Sequence, residues 1–270
     1  MPELPEVETT RRGIEPHLLH KTIKSINIRH HSLRWPIPKN LAKELGGHRI
    51  THITRRGKYI LITVTSGTLI IHLGMSGSLR FVKCDEQPDK HDHFDIVLGQ
   101  YCIRFRDPRR FGAILFTKDD PLQHKLLKDL GPEPLDKSFN GQYLFNRSRN
   151  RKVAIKKFIM NSKIIVGVGN IYASEALFYA GIKPNRAAGK ISLERYQQLA
   201  KAIKKVLRAA IKQGGTTLKD FTKADGNPGY FKQKLAVYGR GGEPCIQCGK
   251  PIKHLVQGQR ASYYCSQCQK

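Results

Sequence analysis

Acidic residues are scarce in this 270-residue chain: 21 Asp and Glu face 48 Lys and Arg, a formal net charge of +27. An ordinary metabolic enzyme does not carry that excess, and the natural partner of a folded polycation is a polyanion, nucleic acid ahead of an anionic membrane surface. Long apolar runs are missing too. No stretch approaches the roughly 18 consecutive apolar residues that span a bilayer. The N-terminus is acidic and interrupted by Pro2 and Pro5, without the basic start and apolar stretch of a secretory signal. These absences predict a soluble, intracellular protein. Internal repeats and low-complexity tracts are lacking as well. Disorder is excluded, because 39% of the residues are hydrophobic and the apolar runs are periodic. Cysteine is sparse over most of the chain: Cys84 and Cys102 stand alone in strand-like segments and read as inert buried thiols. The other four crowd the last 26 residues, and in a reducing compartment such clustering points to metal rather than disulfides.

Residues 6–19 place Val7, Ile14 and Leu18 near one helical face, a short amphipathic helix. Segments 23–28, 58–65, 68–73, 78–82, 94–98, 101–106 and 113–117 are short, rich in Ile, Val, Phe and Thr, and separated by turn signals. Strands at that spacing predict an antiparallel sandwich or barrel. Gly131-Pro132-Glu133-Pro134 can continue neither a helix nor a central strand, which places a domain boundary there. Beyond it, 152–161, 171–179 and 192–213 read as helices, the last opening on Ser192 and closing before Gly214-Gly215. The Gly-, Thr- and Lys-rich stretch between Gln213 and Tyr238 has no clear period, and a loop that long usually serves function.

Cys245-x2-Cys248, sixteen residues, then Cys265-x2-Cys268 is the most specific spacing. Two tight knuckles supply four thiolates, a closed tetrahedral set that favours one structural zinc ion over two redox dithiols. The metal would hold a hairpin whose tip, around Lys253, His254, Gln257, Gln259 and Arg260, is polar and basic and suits phosphates. Gly167-Val168-Gly169-Asn170 between two helices would expose backbone amides beside a helix N-terminus, an anion site; a plain helix connection is the alternative. The basic flank of Arg147, Arg149, Arg151, Lys152, Lys156 and Lys157 favours phosphate, against a merely solvated face. Met75, within Leu73–Gly77, and Arg109 and Phe111, within Asp107–Gly112, sit on glycine-flanked loops. Such side chains unstack a duplex or pack a strand end. Pro2 would become a secondary amine on loss of Met1, and an α-amino group with an ordinary pKa near 8 is partly unprotonated at neutrality. Glu3 and Glu6 beside it serve either as general acids or as charges at a helix start.

Taken together, MPELPEVE, RRGKY (55–59), HLGMSGSLR (72–80), HDH (91–93), DPRRFG (107–112), GVGNIYASE (167–175), GGTTLKDF (214–221) and the terminal cysteines make the chain resemble, end to end, the bacterial formamidopyrimidine-DNA glycosylases. That resemblance implies an α+β multidomain protein: an N-terminal antiparallel β-sandwich (1–131), a helix-two-turn-helix module (135–235) and a four-cysteine zinc finger (236–270). It implies a bifunctional glycosylase and abasic-site lyase acting on oxidised purines in damaged double-stranded DNA, as a monomer in the bacterial cytoplasm and without membrane contact. Pro2 would attack the sugar carbon bearing the base and form a Schiff base, and Glu3 would donate the proton. Lys58 would assist β-elimination and Arg260 δ-elimination. Met75 would fill the space of the flipped nucleotide, Phe111 would wedge the helix, and Arg109 would reach the orphaned base, cytosine by preference. His91, Lys152, Lys156, Asn170, Tyr238 and Arg260 would hold the backbone, Ser78 would lie near the lesion, and 216–230 would cover the extruded base. Competing readings are the sister family that resembles endonuclease VIII, and a non-catalytic DNA-binding protein that would need neither Pro2 nor Glu3.

Overall fold

The computed structural model describes residues 2–214 and 235–270; the segment 216–230, expected to cover an extruded base, lies outside the described residues. Among them, 2–129 form one compact unit and 130–213 with 235–270 another.

In the first unit, α1 (Leu4–Leu18) begins two residues before the sequence pattern does. The reason is a capping box: the Glu3 N–H donates to Glu6 Oε2 at 2.8 Å, and the Glu3 side chain accepts from the Glu6 backbone. Pro5 is tolerated in the first turn, where its missing N–H would have had no helical partner. The helix turns Val7, Ile14 and Leu18 inward.

Eight strands follow: β1 (Ser25–Ile28), β2 (Ile50–Arg56), β3 (Tyr59–Val64), β4 (Gly67–His72), β5 (Ser78–Lys83), β6 (Asp92–Val97), β7 (Tyr101–Arg106) and β8 (Ala113–Thr117), with a short helix α2 (Leu41–Leu45) after β1. They form two four-stranded antiparallel sheets in the orders β1-β6-β7-β5 and β2-β3-β4-β8. One core joins them, with Ile60, Ile62, Leu69 and Ile71 of one sheet and Leu79, Phe94, Ile96, Ile103 and Phe105 of the other clustered with α1. This is the β-sandwich that the strand spacing predicts. The β2 strand escaped the sequence reading because ITHITRR is polar along most of its length; only Ile50 and Ile53 are buried. Cys102 is buried as expected, whereas Cys84 lies just past β5 and is half-buried.

The second unit holds α3 (Gly141–Ser148), α4 (Ile155–Ile159), α5 (Asn170–Tyr179) and α6 (Leu193–Lys212). The α4 helix is shorter than the predicted 152–161, because Ala154 forms a β-bridge with Ala187 and the Ile155 N–H donates to Arg186 O at 2.7 Å. The α5 helix is buried from Ile171 to Phe178 and packs on α6, which Ser192 caps by accepting from the Arg195 N–H. A hairpin of β9 (Lys253–Gln257) and β10 (Arg260–Tyr264) completes the unit.

Candidate active site and nucleic-acid interface

Pro2 and Glu3 are both buried at the start of α1. That helix is tied to the turn between β2 and β3. Glu8 accepts from Arg11, Arg12 and Arg55, and Arg55 also donates to Gly57 O at 2.9 Å. Burial works against the Glu8 carboxylate, but hydrogen bonds from Arg11 and Arg12 and the charges of Arg11 and Arg55 prevail and hold it below the ordinary range. Gly57 takes φ +57°, the left-handed conformation this two-residue turn needs, and Lys58 sits at its tip. One ion cluster therefore fixes the lysine hairpin against the helix that carries Pro2 and Glu3. RRGKY and MPELPEVE lie far apart in the sequence, and Glu8 and Arg55, which join them in the fold, carry no spacing signal.

The two glycine-rich loops form one block. A Cβ placed on Gly74, whose φ is +65°, would lie 2.4 Å from Gly112 N, so the loops meet backbone to backbone. Met75 and Phe111, 38% and 49% exposed, project from this block and line a cavity of about 530 Å³ with Leu33, Arg34, His72 and Arg110. Arg109 is exposed and donates to Ser76 Oγ at 3.3 Å and to Met75 O at 3.4 Å. His72 accepts from the Gly74 N–H at Nδ1; burial and the charges of Lys58 and Arg34 push its pKa down to about 4, so the ring is neutral near pH 7. Ser78 is buried and His91 half-buried.

In the second unit, Gly258 and Gln259 both take positive φ, +55° and +61°, in a tight two-residue turn that presents Arg260. Arg260 lines a cavity of about 280 Å³ with Lys156, Lys157, Met160, Asn170, Gln257 and Gly258. Asn170 donates to the Tyr238 hydroxyl at 3.3 Å, while its Oδ1 is buried without a partner. Lys152 is exposed. Lys156 is not: it is 1% exposed and donates to Ala261 O and Ser262 Oγ at 2.9 and 2.8 Å, which pins α4 to the finger. Arg149 is likewise spent internally, on Phe145 O, Ser148 Oγ and Ile191 O. Buried Glu175 accepts from the N–H groups of Ala236, Val237 and Tyr238 at 2.7 to 3.0 Å and so seats Tyr238. A lone carboxylate in the apolar run of α5 was the signal that could have found it, since a buried charge requires partners.

The four cysteine sulfurs all lie within 4.8 Å of one another, with Cys245–Cys268 at 3.9 Å and Cys248–Cys265 at 3.5 Å. Zinc–sulfur bonds of about 2.3 Å give tetrahedral edges of about 3.8 Å, so four soft thiolates at these separations fit zinc. The set is closed, and its role is to hold the hairpin.

Sandwich, helical module and four-thiolate finger in one strongly basic chain define a multidomain zinc-finger protein of nucleic-acid chemistry. Residues 1–114 match the Formamidopyrimidine-DNA glycosylase N-terminal domain, 130–222 the Formamidopyrimidine-DNA glycosylase H2TH domain, and 242–270 the Zinc finger found in FPG and IleRS. The formamidopyrimidine-DNA glycosylase of Nitrosococcus oceani is 57% identical over 270 residues, covering 100% of both chains. The Lactococcus lactis Fpg mutant G226P, solved with DNA containing Fapy-dG, superposes with a TM-score of 0.92 at 32% identity over 100% of both chains. A complex of Lactococcus lactis Fpg with DNA containing an abasic site gives 0.91 at 32% identity over 99% of each chain. The chain belongs to the formamidopyrimidine-DNA glycosylase family, DNA-repair enzymes with glycosylase and abasic-site lyase activity, and its four cysteines form the zinc finger.

Proposed function

We propose that this protein binds damaged duplex DNA in the bacterial cytoplasm as a monomer, excises oxidised purines (8-oxoguanine and formamidopyrimidines), and cleaves the strand by β- and δ-elimination. The observation that carries this reading is the buried Pro2-Glu3 pair at the head of a helix bonded, through Glu8 and Arg55, to the Lys58 hairpin. The division into a sandwich (1–131), a helical module (135–235) and a finger (236–270) is part of the same proposal, supported by the three family matches.

In this mechanism the Pro2 nitrogen attacks C1′ of the damaged nucleotide and the base departs with a proton supplied by Glu3. The Pro2 nitrogen then gives up its proton to the Glu3 carboxylate, which delivers it to O4′ as the C1′–O4′ bond breaks; ring opening leaves an imine cation that acidifies the C2′ proton. Loss of that proton, assisted by Lys58, breaks the C3′–O3′ bond; a second elimination, assisted by Arg260, breaks C5′–O5′. Met75 fills the vacated stack, Phe111 wedges it, and Arg109 reads the orphaned base. His91, Lys152, Asn170, Tyr238 and Arg260 hold phosphates, supported by the cavity that Asn170 and Arg260 share; Lys156, expected among them, instead stiffens the wall of that cavity by tying α4 to Ala261 and Ser262. Ser78 lies near the lesion. The zinc ion, held by Cys245, Cys248, Cys265 and Cys268, keeps Arg260 in place.

The test is single-turnover excision on duplexes carrying 8-oxoguanine opposite cytosine or thymine glycol opposite adenine. Faster release of 8-oxoguanine, with strand cleavage leaving phosphate at both ends of the gap, is expected. Preference for thymine glycol would overturn the purine assignment.

A further inference from the structure

Asp107 is fully buried, and every polar group it has is engaged. Oδ1 accepts from Ser76 Oγ at 2.9 Å and Oδ2 from the Gly112 N–H at 2.7 Å. Its own N–H donates to His91 O at 3.0 Å, and its carbonyl accepts from the Arg110 N–H at 3.1 Å and from His93 Nε2 at 2.9 Å. These bonds reach three segments: the loop of Met75, the HDH segment and the loop of Arg109 and Phe111. Ser76, the first partner, also receives the Arg109 guanidinium. Burying a carboxylate is costly, and the site spends both its oxygens on holding the two loops together.

We propose that Asp107 is a positioning residue, the keystone that locks the loops of Met75, Arg109 and Phe111 into one preformed block and so sets how well the enzyme extrudes a lesion and discriminates the opposite base. This rests on the reading of those three side chains as the ones that enter the duplex. The close approach of Gly74 to Gly112 and the left-handed Arg110, at φ +54°, show how little slack either loop has. A wedge that is already ordered loses less entropy on binding than one that must be fixed by DNA, so part of the extrusion energy is stored in the fold. Ser76 extends the same control to Arg109, since its hydroxyl links the keystone to the guanidinium.

The experiment measures single-turnover excision of 8-oxoguanine opposite cytosine and opposite adenine, and borohydride trapping at a preformed abasic site. It compares the wild type with Asp107→Ala, Asp107→Asn, Ser76→Ala, Met75→Ala and Arg109→Ala, each checked by thermal melting. Asp107→Ala and Ser76→Ala should lower the cytosine-over-adenine ratio by about tenfold, the size of one lost hydrogen bond. Trapping should stay within about twofold, a difference at the scale of noise in such bonds. Asp107→Asn should recover most of the ratio, because its carbonyl still accepts from Gly112 and its amide can donate to Ser76. An unchanged ratio in a folded Asp107→Ala or Ser76→Ala variant, or trapping slowed as much as excision, would overturn the proposal. Should Asp107→Ala not fold, Ser76→Ala carries the same test. Normal excision and normal ratios in Met75→Ala and Arg109→Ala would instead refute the roles of the wedge residues themselves.

Discussion

Replacing Glu175 with alanine tests whether the second unit is built as described. The carboxylate is 3% exposed and is the acceptor for three consecutive N–H groups, those of Ala236, Val237 and Tyr238. Burial pushes its carboxyl above the ordinary range despite those three bonds, so the fold accepts a desolvation cost to keep the acceptor there. Removing it strands three donors at roughly 1–3 kcal/mol each, and water entering the vacated space recovers part of that. A net loss of about 3 kcal/mol follows, a fall in melting temperature of roughly 10 °C. Glu175→Gln should cost less, because one oxygen still accepts from Val237 and Tyr238 while the amide nitrogen opposes only Ala236. Calorimetry of the zinc-loaded full chain measures both. A melting temperature for Glu175→Ala within 2 °C or so of wild type would show that Glu175 does not anchor residues 236–238, since not even one unsatisfied donor could then have been left.

Burial opposes the Asp95 carboxylate, but hydrogen bonds and charges from Arg29 and Arg104 hold it below its ordinary range. Its stabilisation is therefore present above the unfolded value and lost as pH falls through the lowered one. Asp95→Asn should cost about 3 kcal/mol at neutrality and progressively less as pH falls below about 4 toward the lowered value, read from urea midpoints; a loss that does not shrink with falling pH would contradict the assignment. Metal analysis should find one zinc per chain, and chelation should abolish DNA binding before the sandwich unfolds, as followed by Trp35 fluorescence. Binding to undamaged duplex should weaken steeply with salt. Arg260→Ala should make the log–log slope shallower by about 0.9, and Met75→Ala should leave it unchanged.

Regular patterns made most of the sandwich legible, because strands such as Tyr59–Val64 and Tyr101–Arg106 concentrate β-branched and aromatic residues. The finger was legible for a different reason: metal chemistry fixes ligand type and spacing. What escaped was long-range. β2 is polar because one face meets solvent, and α3 is short and mostly polar, with only Gly141, Leu144 and Ser148 buried. Lys156 reads as one cation in a basic run, and only the fold shows its ammonium committed to Ala261 and Ser262. Charge composition fixes how many cations a surface has, not which of them are already engaged.

The proposed Schiff-base chemistry requires the amine of Pro2 to be the nucleophile. Borohydride reduction of the protein with duplex containing 8-oxoguanine opposite cytosine, followed by peptide mapping, tests it most directly. A covalent adduct is expected on the N-terminal peptide, at Pro2 exposed by loss of Met1, with trapping reduced both in Pro2→Gly and in chains that keep Met1. An adduct mapping to Lys58, or no adduct at all while excision proceeds, would contradict it.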